Sequence, residues 1–215
     1  MPQRWGLWLA IEGDLRFLSH HECLRAIGRA AARAELPLQY SQGFNPHPIL
    51  SLVCPRPVGV ASRDDLVVAA LAEPAAPDAL VGRMNQQAPR GMRFLRARML
   101  ESGEDPRVRA ARYEWPARAA GRDDLRCRLA EFQQAASWPV LRRTPTKRRK
   151  ATPPTRTIDL KPLVADIALD RGVLRWTLAP REGLWARPAE VLEALGLDGR
   201  VDLAAVVRTS VDYAI

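Results

Sequence analysis

Three histidines fall within one stretch of the chain, at His20, His21 and His47. The last lies in a polar segment, Tyr40-Ser41-Gln42-Gly43-Phe44-Asn45-Pro46-His47-Pro48. Imidazoles titrate near neutral pH, so His20 and His47 are the candidates for moving a proton at a ribose hydroxyl if the chain acts as an RNA-cleaving or RNA-modifying enzyme. Both equally suit a structural role, holding the segment by hydrogen bonds to backbone carbonyls. Ser41, Gln42 and Asn45 add donors and acceptors. Tyr40 and Phe44 offer aromatic faces on which a base stacks or a partner docks; Phe44 suits a place in the core as well. Gly43 permits a positive φ or a close backbone approach. No G-K-S/T follows, so the segment is not a P-loop.

Metal chemistry finds little support in the spacing. Cys23, Cys54 and Cys127 are separated by 30 and 72 intervening residues. A four-iron cluster needs its cysteines close together. His20, His21, Cys23, Cys54 and His47 are suitable zinc ligands by type, yet no pair has the usual short spacing. Adjacent His20 and His21 on a helix start diverge by about 100°. We therefore expect no metal site and no cofactor.

Charge is the second signal. The chain has 215 residues, 33 basic and 24 acidic, a net of +9. Up to Arg107 the excess is +2, and after it +7. The segment 142–156 holds Arg142, Arg143, Lys147, Arg148, Arg149, Lys150 and Arg156 with no acid, and also Pro145, Pro153 and Pro154. Proline removes backbone donors and like charges repel, which predicts a basic loop. Such a loop suits a polyanion through counterion release, an acidic protein, or simple solvation. Arg25, Arg29 and Arg33 recur every four residues, as one stripe on a helix, with Arg16 just before it.

These side chains need elements to hold them. Trp5 to Ile11 alternates as a strand. Ser19-His20-His21-Glu22 fits a capping box opening a helix that runs to about Glu35, with Cys23, Ile27, Ala30, Ala31 and Ala34 as its apolar face. Strands follow at 49–54 and 66–71, a helix at 77–87 and a strand at 92–99. Strand, helix, strand, strand, helix, strand is the split βαβ order of a ferredoxin-like unit. Later come a strand at 113–117, an amphipathic helix at 123–136 and two segments around Val140 and Ile158 that pair across the basic loop. A hairpin turns at Asp170-Arg171-Gly172, a helix at 188–195 is ended by Gly196, and a strand spans 201–215. The expected fold is α+β: two ferredoxin-like units with antiparallel sheets. They are an N-terminal domain 1–107 and a C-terminal domain 108–215 carrying the basic loop 142–156.

The composition is 47% hydrophobic and 27% charged, ordinary for a globular protein. No window reaches the roughly 18 apolar residues of a membrane span. The start, Met1-Pro2-Gln3-Arg4-Trp5, lacks the apolar core of a signal peptide. An odd number of scattered cysteines fits reduced thiols. A cytoplasmic location away from membranes is expected.

Arg16-Phe17-Leu18-Ser19-His20, the arginine-rich helix and the stretch Tyr40–Pro48 resemble the radical SAM-linked protein family, a domain of unknown function found beside or fused to a radical SAM protein. Leu36-Pro37, Pro57-Val58-Gly59-Val60 and Arg187-Pro188 extend the resemblance over nearly the whole chain. His21-Glu22-Cys23 departs from the family's leucine, aspartate and leucine, although Glu22 still caps the helix. The resemblance implies a radical SAM partner and, through the RNA-processing genes that accompany the family, a link to RNA.

Three readings follow. The leading one is a non-catalytic accessory protein that holds tRNA or rRNA for a radical SAM enzyme. Its phosphate contacts would be Arg16, Arg25, Arg29, Arg33, Arg142, Arg143, Lys147, Arg148, Arg149 and Lys150. Tyr40, Ser41, Gln42, Gly43, Phe44, Asn45 and His47 would make the specific contact. The second is an RNA-cleaving or RNA-modifying enzyme acting through His20 or His47. The third is a protein-only adaptor docking on the radical SAM partner.

Overall fold

The computed structural model describes residues 3–117, 122–143, 155–199 and 202–215. They form a mixed α/β protein with four helices and a mostly antiparallel eight-stranded sheet. The hydrogen-bonded strand order is β4 (Met92–Leu100), β1 (Gln3–Ile11), β3 (Ala61–Leu71), β10 (Val207–Ala214), β5 (Arg107–Pro116), β9 (Val173–Leu178) and β8 (Val164–Asp170), with β2 (Leu50–Leu52) also on β3. The chain divides into two compact units, Met1–Ala111 with Ala204–Ile215, and Arg112–Leu203. No helix among the described residues is long and apolar enough to cross a membrane.

In the first unit the strands are β1 (Gln3–Ile11), β2 (Leu50–Leu52), β3 (Ala61–Leu71), β4 (Met92–Leu100) and β10 (Val207–Ala214). β1 runs antiparallel to both β3 and β4, in registers such as Leu7↔Val67 and Leu7↔Ala97. Trp5, Leu7, Leu9 and Ile11 alternate onto one face and enter the main core, as period-2 geometry requires. Trp8 lies on the opposite face, buried, with the Arg96 guanidinium 4.4 Å from its ring centroid.

Helix α1 (His20–Arg33) starts on the expected capping box. The Ser19 hydroxyl accepts from the Glu22 amide, and the Glu22 carboxylate accepts from the Ser19 amide at 2.8 Å. Its inner face, Cys23, Ala26, Ile27, Ala30 and Ala31, is buried against the sheet core. Small side chains there let helix and sheet approach closely. Helix α2 (Pro77–Gln87) begins with proline at its first turn, where the missing amide costs nothing. Leu80 and Met84 bury beneath it. Its Arg83 donates to the Ala34 and Glu35 carbonyls, satisfying the end of α1. Asn85 brackets Phe94 on β4, donating to its carbonyl and accepting from its amide, both at 2.8 Å.

The last strand, β10, lies parallel to the start of β3, Val207 opposite Ala61 and Arg208 opposite Ser62. This places Arg208 and Asp65, exposed by 0% and 1%, in an ion pair of 2.6 Å. Arg208 also donates to the Cys54 carbonyl at 2.7 Å and to Ser62 Oγ at 3.3 Å. A guanidinium with several acceptors is the form in which a buried charge is tolerated.

The second unit holds the later half of β5 (Arg107–Pro116), α3 (Arg122–Gln134), β6 (Pro139–Arg143), β7 (Thr155–Asp159), β8 (Val164–Asp170), β9 (Val173–Leu178) and α4 (Pro188–Ala194). β6 and β7 pair with each other, as expected of these segments, in their own two-stranded sheet, and the register sets Val140 opposite Ile158. The β8–β9 hairpin closes with Asp170 opposite Val173. Arg171 and Gly172 both have positive φ, 47° and 79°, the requirement of a type I′ turn. Tyr113 and Trp176 stack at 5.6 Å among the buried residues.

Candidate functional site

Residues 40–48 fold as a tight hairpin beside α1. Tyr40 and Pro48 form an antiparallel bridge. The Ser41 amide donates to the His47 carbonyl at 2.9 Å, and the His47 amide donates to Ser41 Oγ at 3.2 Å. Ser41 Oγ and His47 Nδ1 lie 2.8 Å apart. His47 is thus anchored through one ring nitrogen, and its Nε2 has no hydrogen-bond partner among the described residues. Gly43, at φ 138°, makes the tip. Phe44 stands free in solvent there, at 105% exposure.

The hairpin and α1 enclose a groove of about 520 Å³. His21, Leu24, Arg25, Gly28, Arg29 and Ala32 line it from the helix, and Tyr40, His47, Pro48 and Leu50 from the other side. The helix residues repeat at four and three, the spacing of one face. Arg25 and Arg29 are exposed, and neither makes an ion pair or hydrogen bond among the described residues. Glu22, the nearest acid along the helix, is occupied in the capping box. The Ser19 hydrogen bonds, and after them the charge of Arg25, hold its carboxyl below the usual range. The groove therefore has a cationic wall, an aromatic and aliphatic wall, and imidazoles at two points. A larger hollow, about 610 Å³ beside β2 and β3, is lined by Arg4 and Asp105, which pair at 3.6 Å and cancel each other.

The structure gathers some of the sequence candidates and disperses others. Arg25, Arg29, Tyr40 and His47 meet at the groove. Ser41 and Asn45 serve the hairpin, Asn45 through its carbonyl 3.5 Å from His47 Nδ1. Gln42 is exposed. Arg33 continues the stripe, but its guanidinium donates to the Gln87 carbonyl at 2.7 Å. Arg16 donates to the Gly13 carbonyl at 2.9 Å and the Ala204 carbonyl at 2.5 Å. Arg142 is bound by Glu190 on α4, and Arg143 is exposed. Lys147, Arg148, Arg149 and Lys150 lie outside the described residues.

His20 is not among the residues lining the groove; His21 is. The His20 ring meets His21 edge-on at 5.3 Å, and its Nδ1 is buried with no partner among the described residues. Partial burial, and then the neighbouring His21, lower its pKa below the usual imidazole value. The sequence held the signal for this exchange. Stepping back four residues from Arg25, itself four before Arg29, reaches His21.

Fold and groove together define an α/β protein with a cation-lined cleft. The chain belongs to the family described as an uncharacterized protein conserved in bacteria, DUF2344, whose model matches residues 4–188. No curated protein matches the sequence. One solved structure, of an unknown protein from Galdieria sulphuraria, aligns over 99% of this chain and 98% of its own at 13% identity, with a TM-score of 0.28. A superposition that loose supports no conclusion about this chain.

Proposed function

We propose that this chain is a non-catalytic accessory protein that holds RNA, either tRNA or rRNA, for a radical SAM enzyme. The observation that carries the RNA part is the α1 groove, where Arg25 and Arg29 face Tyr40 and His47 with no carboxylate on either guanidinium among the described residues. Unpaired guanidinium groups beside an aromatic face suit phosphate and base together. The radical SAM partner rests on the resemblance of residues 16–20 and 40–48. In this reading each half is a ferredoxin-like unit in domains 1–107 and 108–215. The strand orders β4-β1-β3-β2 and β10-β5-β9-β8 support it, with the β6–β7 hairpin as an insertion in the second and β10, which clusters with the first compact unit, as the second's closing strand.

Titrating the protein with tRNA at rising salt tests this. Affinity is expected to fall steeply with salt, and to fall further when Lys147, Arg148, Arg149 and Lys150 are replaced together by alanine. Absence of binding at low salt ends the RNA part. Nuclease-insensitive co-purification with the radical SAM protein would then leave the protein-only adaptor.

The RNA-cleaving reading gains one observation: His21 and His47 line the same groove. Cleavage of total RNA that is lost in His21→Ala or His47→Ala, yet survives in His20→Ala, would replace the accessory role with catalysis.

A further inference from the structure

We infer that the groove between α1 and the Tyr40–Pro48 hairpin takes one unpaired nucleotide of an RNA strand, its base on Tyr40 and its phosphate on Arg25 and Arg29. The inference rests on the RNA reading above and names what part of the RNA is held. At about 520 Å³ the groove falls within the range of sites for small organic ligands. A duplex keeps its bases stacked inside and shows phosphates and ribose outside, so it presents no base face to Tyr40.

The walls match the two chemistries of a nucleotide. Tyr40, Pro48 and Leu50 form an apolar side, with the Tyr40 ring half exposed at 47%. Arg25 and Arg29 lie one turn apart on one helix face, a spacing that lets both forks reach one phosphate or two successive ones. The platform is fixed in advance. The Tyr40–Pro48 bridge and the Ser41–His47 hydrogen bonds hold the hairpin, so little ordering remains when a base stacks. His47, anchored through Nδ1, presents its other nitrogen for a base edge or a 2′-hydroxyl.

Fluorescence anisotropy of labelled oligoadenylate, and of a duplex RNA of equal length, tests the assignment. The single strand is expected to bind about tenfold more tightly. Tyr40→Ala is expected to lose about tenfold on the single strand, with Tyr40→Phe retaining it and the duplex indifferent to both. Replacing Arg25 and Arg29 by glutamine should lower the salt slope by about 1.4. Circular dichroism checks that the variants fold. Equal affinity for both RNAs, with Tyr40→Ala unchanged, overturns the groove assignment while RNA binding itself stands. No RNA bound by the unaltered protein at low salt overturns the RNA reading and the inference together. Saturable binding of adenosine monophosphate without oligonucleotide binding overturns the RNA source in favour of a free nucleotide.

Discussion

Arg142 on β6 and Glu190 on α4 form a two-point ion pair inside the second unit, Nε to Oε1 at 2.7 Å and Nη2 to Oε2 at 2.6 Å. Arg142 also donates to the Trp185 carbonyl at 2.7 Å, and Glu190 accepts from the Arg187 amide at 2.8 Å. The first cation of the basic segment is thus part of the frame. Arg142→Ala leaves a buried carboxylate without its counter-charge and should cost about 3 kcal/mol. The exposed Arg143→Ala should stay within about 0.5 kcal/mol. Denaturant midpoints check this; equal effects would refute the assignment.

Gly91 is the second place where one atom decides. Its φ is 90°, its carbonyl accepts from the Glu12 amide at 2.8 Å, and a Cβ there would lie 2.6 Å from the Glu12 carbonyl oxygen. Gly91→Ala should cost about 2 kcal/mol or more. Gly103, at φ 89°, has nothing within 4 Å of a built Cβ, so Gly103→Ala carries only the conformational penalty, about 1 kcal/mol. Thermal midpoints of the two variants separate strain from collision.

His20 predicts a pH dependence. Its folded pKa lies below the ordinary 6.5, through partial burial and then the adjacent His21. As pH falls past 6.5 the unfolded chain takes up the proton first, so stability falls with pH. The contribution is full above 6.5 and is lost on the way down through the folded pKa. Melting curves from neutral to about pH 5.5 should decline in the unaltered protein and flatten in His20→Gln. Glu22, held below its ordinary 4.5, acts only in more acid solution. Parallel declines in both proteins would refute the role of His20.

The thiols should differ in reactivity. Cys127 is exposed, whereas burial pushes Cys23 up to about 11 and also raises Cys54 despite the Arg208 guanidinium 2.9 Å from its sulfur. A thiol reagent at mildly alkaline pH should label one cysteine quickly and the other two only on unfolding. Cys127→Ser should abolish the fast phase. Rapid labelling that survives this change would contradict the burial of Cys23 and the raised pKa of the half-buried Cys54.

Much of the candidate site was legible in the residues. The Arg25 and Arg29 stripe and the Tyr40–Pro48 segment were both marked by type and spacing, and the structure sets them across one groove. The assignment of roles within them was less legible. Residue type alone does not separate His20 from His21, which differ by about 100° around the helix. Nor does the sequence show that Arg33 and Arg16 reach backbone carbonyls. In β3 the polar run Ser62-Arg63-Asp64-Asp65 masks the strand's first half, because its partner for Asp65 lies on β10, far along the chain.

The sequence by itself determined what short-range physics controls: the Ser19–Glu22 cap, the helix over Pro77–Gln87 and the Asp170–Val173 turn. Each rests on side-chain periodicity, a local hydrogen bond or a required φ, all readable within a few residues. Only the tertiary structure decided that β10 lies parallel to β3, that Asp65 neutralises Arg208, that Glu190 binds Arg142 and that His21 faces His47. Those depend on which distant segments share a sheet, or on which way a helix is turned about its axis. Burial of the whole apolar surface sets both, and no local pattern records them.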